Sequence, residues 1–299
     1  MAITKFIPEI WSARLLDKLS NELVYGNLVN RDYEGEISQA GDTVHINSFG
    51  AITVKKYTRN SEIDAPEELT TEEQTLKIDQ SQYFNFGLDD VDKAQAMGGL
   101  MEAALDRASY GLSSVADKYI ASQMAKEGTA INEESSPITL TAANIYQAMV
   151  EIKVAMDKLN IPQQGRYVVV PPEVEGLLLL EDRFVATGGS AAEGILANGY
   201  IGKVAGLDVY TSNNVPNSDG SKYKIVATNR STTTYAEQVL HTEAYRVEKG
   251  FKDGIKGLHV YGAKVTRPKE VLVLTANFED SNILKPASLS SRKAKKEAY

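Results

Sequence analysis

The 299-residue chain contains no cysteine, which removes disulfides, thiolate metal ligands and Cys nucleophiles together and fits folding in a reducing cytoplasm. Purely apolar runs are short, as at Leu177–Leu180, far below the ~20 residues of a bilayer-spanning helix, so no membrane partner is expected. The opening MAITKFIPEIW has no basic region followed by an apolar stretch, and no secretory signal is expected. The one glycosylation-type match, Asn229-Arg230-Ser231, is therefore read as chance. Histidines number only three, His45, His241 and His259. His45 and His259 fall in strand-like patterns, where a structural role is expected rather than proton transfer. The chain has no HExxH, EF-hand or Walker sequence, and Gly188-Gly189-Ser190 lacks the GK[ST] that would make it a phosphate loop. No convergent polar constellation is legible. Neither a catalytic residue, nor a metal site, nor a cofactor is expected.

What is present is a globular composition, 42% hydrophobic and 24% charged, in a chain long enough for one large or two ordinary domains. The net charge of −8 is unevenly placed: residues 281–299 hold Lys285, Arg292, Lys293, Lys295 and Lys296 against Glu297, leaving −12 on the remainder. An acidic body argues against dedicated nucleic-acid recognition.

Residues 9–25 place Ile10, Leu15, Leu16, Leu19, Leu23 and Val24 on one stripe behind Pro8, which predicts an amphipathic helix. With no helical partner beside it in sequence, that stripe needs a distant part of the chain or a neighbouring subunit. From Gly41 the period becomes two: Val44, Ile46, Ile52 and Val54 around a turn at Phe49-Gly50, then Leu76, Ile78, Tyr83, Phe84 and Phe86. Between them TRNSEIDAPEELTTEEQ has almost no core-forming residues. This predicts a long hairpin whose ~15-residue arms reach ~50 Å, a length not stable alone in water. A helix is predicted over 89–127, capped by Asp89 or Asp90, with Ala94, Met97, Met101, Leu105, Ala108, Leu112, Val115 and Tyr119 as its stripe and Gly128 as its end. Its ~60 Å length matches or exceeds the ~50 Å diameter of a compact globule of this size, so an elongated subunit is expected. Gly98-Gly99 and Gly111 are expected bend points.

Residues 140–260 read as an α/β domain. A helix starting at Thr139 or Thr141 runs through Ile145, Met149, Ile152, Met156 and Leu159. The strand RYVVV, a short helix after Pro171-Pro172, a Gly/Ala-rich loop, a strand pair around KVAGLDVYTSNNVP and the strand KYKIVAT follow. STTTYAEQVL reads as helix-like, and GLHVYGAKVTRPKEVLVLTANF as strand returning to pack on the long helix.

The passages GDTVHI, ITVKKYTRN and QTLKIDQSQYFNFGLDDVDKAQA, then RYVVVPPEVEGLLL, NGYIGKVAGLDVYTSNNVP and GLHVYGAKVTRP, occur in an order that resembles the major capsid proteins of tailed double-stranded DNA bacteriophages. The resemblance spans about residues 9–278. It implies an α+β, Johnson-type capsid fold. The expected parts are an N-terminal arm (1–40), an extension loop (41–88), a peripheral domain with a spine helix (89–135 and 255–280), an inserted α/β axial domain (136–254) and a basic tail (281–299). It implies a homo-oligomer of pentamers and hexamers in a virion shell built in the host cytoplasm, a portal, a scaffolding protein and nonspecific contact with packaged DNA. Some relatives begin with a long helical scaffolding segment; the first helix here begins almost at once, so a separate scaffolding protein is expected.

Two assembly surfaces are predicted. Lys55, Lys56 and Arg59 precede an acidic stretch holding Glu67, Glu68, Glu72 and Glu73. So polar a tip cannot anchor by burial but can be matched by charge to a basic patch on a neighbour; a solvated acidic loop is the blander reading. In the tail, Arg292, Lys293, Lys295 and Lys296 could touch DNA or scaffold by phosphate attraction, against a plain disordered tail. Lys55 and Lys56 lie where a few relatives cross-link through a lysine, but no acceptor context marks them here. The alternatives are an encapsulin-like compartment of the same fold and an oligomeric α/β enzyme.

Overall fold

A computed structural model describes residues 23–33, 43–49, 54, 56–57, 59, 65, 71–89, 100–180, 200–247 and 252–278. In chain order they form α1 (Tyr25–Leu28), β1 (Thr43–Phe49), β2 (Thr71–Lys77), β3 (Gln80–Asp89), α2 (Leu100–Glu127), β4 (Thr129–Ala130), β5 (Ile138–Leu140), α3 (Ile145–Lys158), β6 (Arg166–Val170), α4 (Pro172–Leu179), β7 (Tyr200–Val204), β8 (Leu207–Thr211), β9 (Asn217–Ser218), β10 (Lys222–Asn229), β11 (Thr233–Arg246), β12 (Lys252–Val265) and β13 (Leu272–Phe278). The stripe at 9–22, the loop 181–199 and the tail lie outside the described residues.

The largest sheet has the order β4-β13-β10-β6-β8-β7, with β5 beside β13 and β9 beside β10. Strand β6 is buried at all five residues, as a strand covered on both faces must be. Its side chains alternate between two cores. Val168 and Val170 join Ile225, Leu272 and Leu274 beneath α3 and α4, whereas Tyr167 and Val169 join Val226 and Val271 beneath α1 and α2. Helix α3 buries Ile145, Met149, Ile152 and Met156, the spacing of one helical face. Its last turn is tied to β6 by Arg166, which donates to Asp157 Oδ1 at 2.6 Å and to the carbonyls of Ile161 and Pro162.

Helix α2 ends where predicted: the Gly128 N–H donates to Met124 O at 2.9 Å. A Cβ there would lie 2.6 Å from that oxygen and 2.8 Å from Val273, so the tight entry into β4 requires glycine. The buried stripe of α2 follows the expected one at Leu105 and Leu112 and departs from it afterwards. Ala116, Ile120, Ala121 and Met124 are buried while Val115 is 42% exposed, because Ser109, Ser113 and Asp117 occupy the inward face and read in sequence as surface. Asp89 is also not a helix cap: it lies in β3, paired with Lys252. Residues 90–99 lie outside the described residues.

The second sheet, β11-β12-β3, is antiparallel throughout. STTTYAEQVL, expected to be helix-like, opens β11. Its period of two is disguised because Glu237, two residues after the buried Tyr235, is itself buried. One face of this sheet meets α2, with the Tyr119 and Tyr261 rings 5.5 Å apart and Lys264 donating to Glu127 at 2.9 Å. The other carries the root of the β1–β2 hairpin, whose Val44, Ile46, Leu76 and Ile78 pack on Ala236 and Val260. Strand β1 runs through Phe49, which pairs with Thr71, so Phe49 belongs to the strand and not to the turn expected within the first arm. Val54 is 94% exposed and not a packing position.

Sheet membership also crosses the expected domain limits. Strand β13 sits inside the eight-stranded sheet, paired with β10, while β11 pairs with β12 and not with that sheet. Long main-chain ladders outweigh sequence proximity in deciding which strands belong together.

Candidate functional site

Residues 23–33 are held to the body by two buried carboxylates from different elements. The first is Asp117 of α2, which is 1% exposed. Its Oδ2 accepts the Val24 N–H at 2.8 Å and its Oδ1 the Gly26 N–H at 3.2 Å. A helix start leaves amide hydrogens without intrahelical acceptors; Asp117 supplies them to α1 from outside, as a capping residue would from within. Burial pushes the Asp117 carboxyl up to about 6, against the opposing pull of the Val24, Gly26 and Tyr25 amides and of Asn214. Leu23, Tyr25, Leu28 and Val29 then close over Ala116, Ile120 and Tyr167.

The second carboxylate is Glu237 of β11. Its Oε2 accepts the Tyr235 hydroxyl at 2.7 Å and lies 3.0 Å from His259 Nε2, while Arg31 donates to Oε1. Burial alone would raise this carboxyl; the partners His259, Arg31 and Tyr235 together outweigh it and hold it below the ordinary carboxylate value. An ionised carboxylate only accepts, so the His259 proton belongs on Nε2, and Nδ1 has no hydrogen-bond partner among the described residues. The ring is fully buried against Tyr261 at 5.0 Å and is bonded through Nε2 alone. The Arg31 guanidinium also lies 5.6 Å over the Tyr235 ring. Asn30 completes the attachment, donating its N–H to Thr233 O and accepting from the Tyr235 N–H, both at 2.9 Å.

Among the described residues, no three His, Asp or Glu side chains are placed to hold a metal ion, and no helix is long and apolar enough to cross a membrane. Of the predicted assembly residues, Lys56 and Arg59 are exposed, and Glu72 and Glu73 lie in β2 opposite Ser48 and Asn47. Lys55, Glu67, Glu68, Arg292, Lys293, Lys295 and Lys296 lie outside the described residues. The clamp residues Asp117, Glu237 and Arg31 went unread in the sequence. A lone acid at a position the helical or strand period turns inward is the signal that could have found them.

The body thus combines a central mixed sheet, a second long-stranded sheet packed on α2, and a hairpin rooted by a handful of side chains. The chain belongs to the phage capsid protein family, which matches residues 71–274. It is 33% identical to a solved structure from Mycobacterium phage Che8, covering 91% of this chain and 98% of that one at a TM-score of 0.68. The same fold recurs in the capsid of Ralstonia phage GP4, at 13% identity, TM-score 0.65 and coverage of 86% and 89%. It recurs too in a virus-like particle from Pyrococcus furiosus, at 9% identity, TM-score 0.56 and coverage of 89% and 98%. No curated protein matches the chain significantly. The chain is a shell-forming major capsid protein and a component of the virion capsid; its family is structural, and its copies assemble into an oligomeric shell.

Proposed function

We propose that this chain forms pentamers and hexamers of an icosahedral shell around double-stranded DNA, assembling in the host cytoplasm with a scaffolding protein and a portal, and that it carries no catalytic activity. The observation that supports this reading is the hairpin. Its root packs through Val44, Ile46, Leu76 and Ile78, and the described positions beyond that root, Val54, Lys56, Tyr57 and Arg59, are exposed. A hairpin of that length needs a support surface, and in a shell the adjacent subunit supplies it. In this reading the eight-stranded sheet forms the axial domain, and α2 with the three-stranded sheet forms the peripheral one.

The charges of the loop give its contact. Lys55, Lys56 and Arg59 on one side and Glu67, Glu68, Glu72 and Glu73 on the other pair with opposite charges on the neighbour. Each exposed pair contributes only ~0–1 kcal/mol, so the strength comes from repetition over the shell. The tail cations Arg292, Lys293, Lys295 and Lys296 face inward and touch DNA or scaffold.

Electron microscopy of the expressed protein, with and without a scaffold, tests the reading; closed particles are expected, and soluble monomers under both conditions would overturn it. Reversing the charge of Glu67, Glu68, Glu72 and Glu73 should block particle formation while leaving the subunit folded. A compartment shell of the same fold is the second reading, motivated by the Pyrococcus furiosus particle. Nucleic acid inside the purified particles supports the virus, and a co-purifying cargo protein the compartment.

A further inference from the structure

We propose that the outer edge of β3 is an interface between copies of this chain, closed in the shell by main-chain pairing with a strand of the neighbouring subunit. This rests on the reading that copies assemble side by side. An antiparallel edge strand turns the N–H and C=O of every second residue outward, and a long regular edge is a ready template for another strand. Two other edges, β7 and β11, are treated differently, and β1 of the two-stranded hairpin is regular like β3 but three residues shorter. Strand β7 is five residues long, breaks register between Tyr200 and Gly202, and carries Lys203. Strand β11 breaks register between Val239 and His241, carries Glu237, Glu243 and Arg246, and has its start taken by Asn30.

Strand β3 has none of these devices. It pairs with β12 for ten residues without a register shift, from Gln80 opposite Tyr261 to Asp89 opposite Lys252. It contains no proline, and its only charge is the terminal Asp89. Tyr83 stands 77% exposed, and among the described residues no strand pairs with the outer side of β3. A second copy is the occupant these features fit. A chain of net charge −8 repels its own kind, and Gln80–Leu88 is an uncharged stretch where two copies approach without that penalty. The strand also continues directly from β2 through Ile78 and Asp79, so the edge and the outlying hairpin meet the neighbour along one line.

Amide hydrogen exchange of residues 80–89, compared between unassembled subunits and particles, tests the proposal. Exchange of alternate amides should slow by about tenfold or more on assembly; particles with unchanged exchange there would overturn this proposal alone. The cysteine-free background allows a single Ser81→Cys carrying a maleimide photo-crosslinker, read by mass spectrometry in mixed particles of heavy- and light-isotope chains. Heavy–light cross-links support a second copy, whereas cross-links confined to one chain mean the edge is closed internally and defeat it. If the wild-type protein forms no particles under any condition, the assembly reading fails and this proposal with it. The pair Ser81→Lys and Tyr83→Lys should leave the subunit folded and cut particle yield at least about tenfold; full yield would count against the edge.

Discussion

Asp117 holds a charge where water cannot reach it, and its raised pKa makes the subunit's stability depend on pH in a fixed direction. A carboxyl raised from 3.8 to about 6 in the folded state binds its proton more tightly folded than unfolded. The stabilisation is fully present below the unfolded value and disappears as pH rises through about 6. Wild type should therefore lose ~2 kcal/mol relative to Asp117→Asn between pH 4 and pH 7, measured by urea unfolding of unassembled subunits at both pH values. A difference that does not change with pH would mean that the carboxyl titrates normally. Glu237 is the opposite case, a buried carboxylate whose partners outweigh its burial. Glu237→Ala leaves the Tyr235 hydroxyl and His259 Nε2 without their acceptor, and the loss should reach ~3 kcal/mol or more in the same unfolding measurement. Proteolysis should then cut within residues 23–33, since Arg31 loses its anchor.

At the scale of elements, glycines separate the contacts that fix the hairpin from those that do not. A Cβ on Gly262 would fall 2.2 Å from the Lys77 carbonyl oxygen and 3.0 Å from Ile78 Cδ1, so β12 lies directly against the hairpin root. Gly262→Ala should destabilise by ~2 kcal/mol and speed hydrogen exchange in β1 and β2. Gly111 and Gly176, both in helices, meet nothing within 4 Å, and alanine at either should instead stabilise by ~1 kcal/mol. These contrasts also show why the sequence was only partly legible. The strands of the hairpin root and the buried face of α3 were readable because apolar residues occupy their inward positions, and the end of α2 because only glycine fits at Gly128. The register of α2 and the strand character of β11 were not, because the polar Ser109, Ser113, Asp117 and Glu237 sit inward, and the two acids draw partners from far away in sequence. An inward acid can be read from the period, but its distant donors cannot: the amides bound by Asp117 lie 91 and 93 residues away and the Arg31 bound by Glu237 lies 206 away. Which strand joins which sheet was hidden for the same reason: β13 completes a sheet whose other long strands precede it by more than forty residues.

For the whole molecule, the two ends of the chain make unequal demands on the fold. Removing residues 1–32 would strip Leu23, Tyr25, Leu28 and Val29 from a core they share with Ala116, Ile120, Tyr167 and Val226. Each fully buried large side chain contributes ~1.5–3 kcal/mol, and the deletion would also take the Val24 and Gly26 amides from Asp117 and Arg31 from Glu237. Set against the ~5–15 kcal/mol total stability of a protein domain, that combined loss exceeds what the remainder can hold. The shortened chain should be insoluble or fail to unfold cooperatively. Truncation after Ala287 removes residues beyond β13, which ends at Phe278. That subunit should keep the wild-type unfolding transition in circular dichroism. Any deficit should emerge only later, in genome content per particle, if Arg292, Lys293, Lys295 and Lys296 contact DNA. Equal genome content would leave the tail cations without that role, while a loss of cooperative unfolding would mean that the tail packs on the body. The comparison separates folding from assembly within one chain, because the N-terminal segment is part of a core, whereas the proposed DNA contact of the tail cations would require a closed shell.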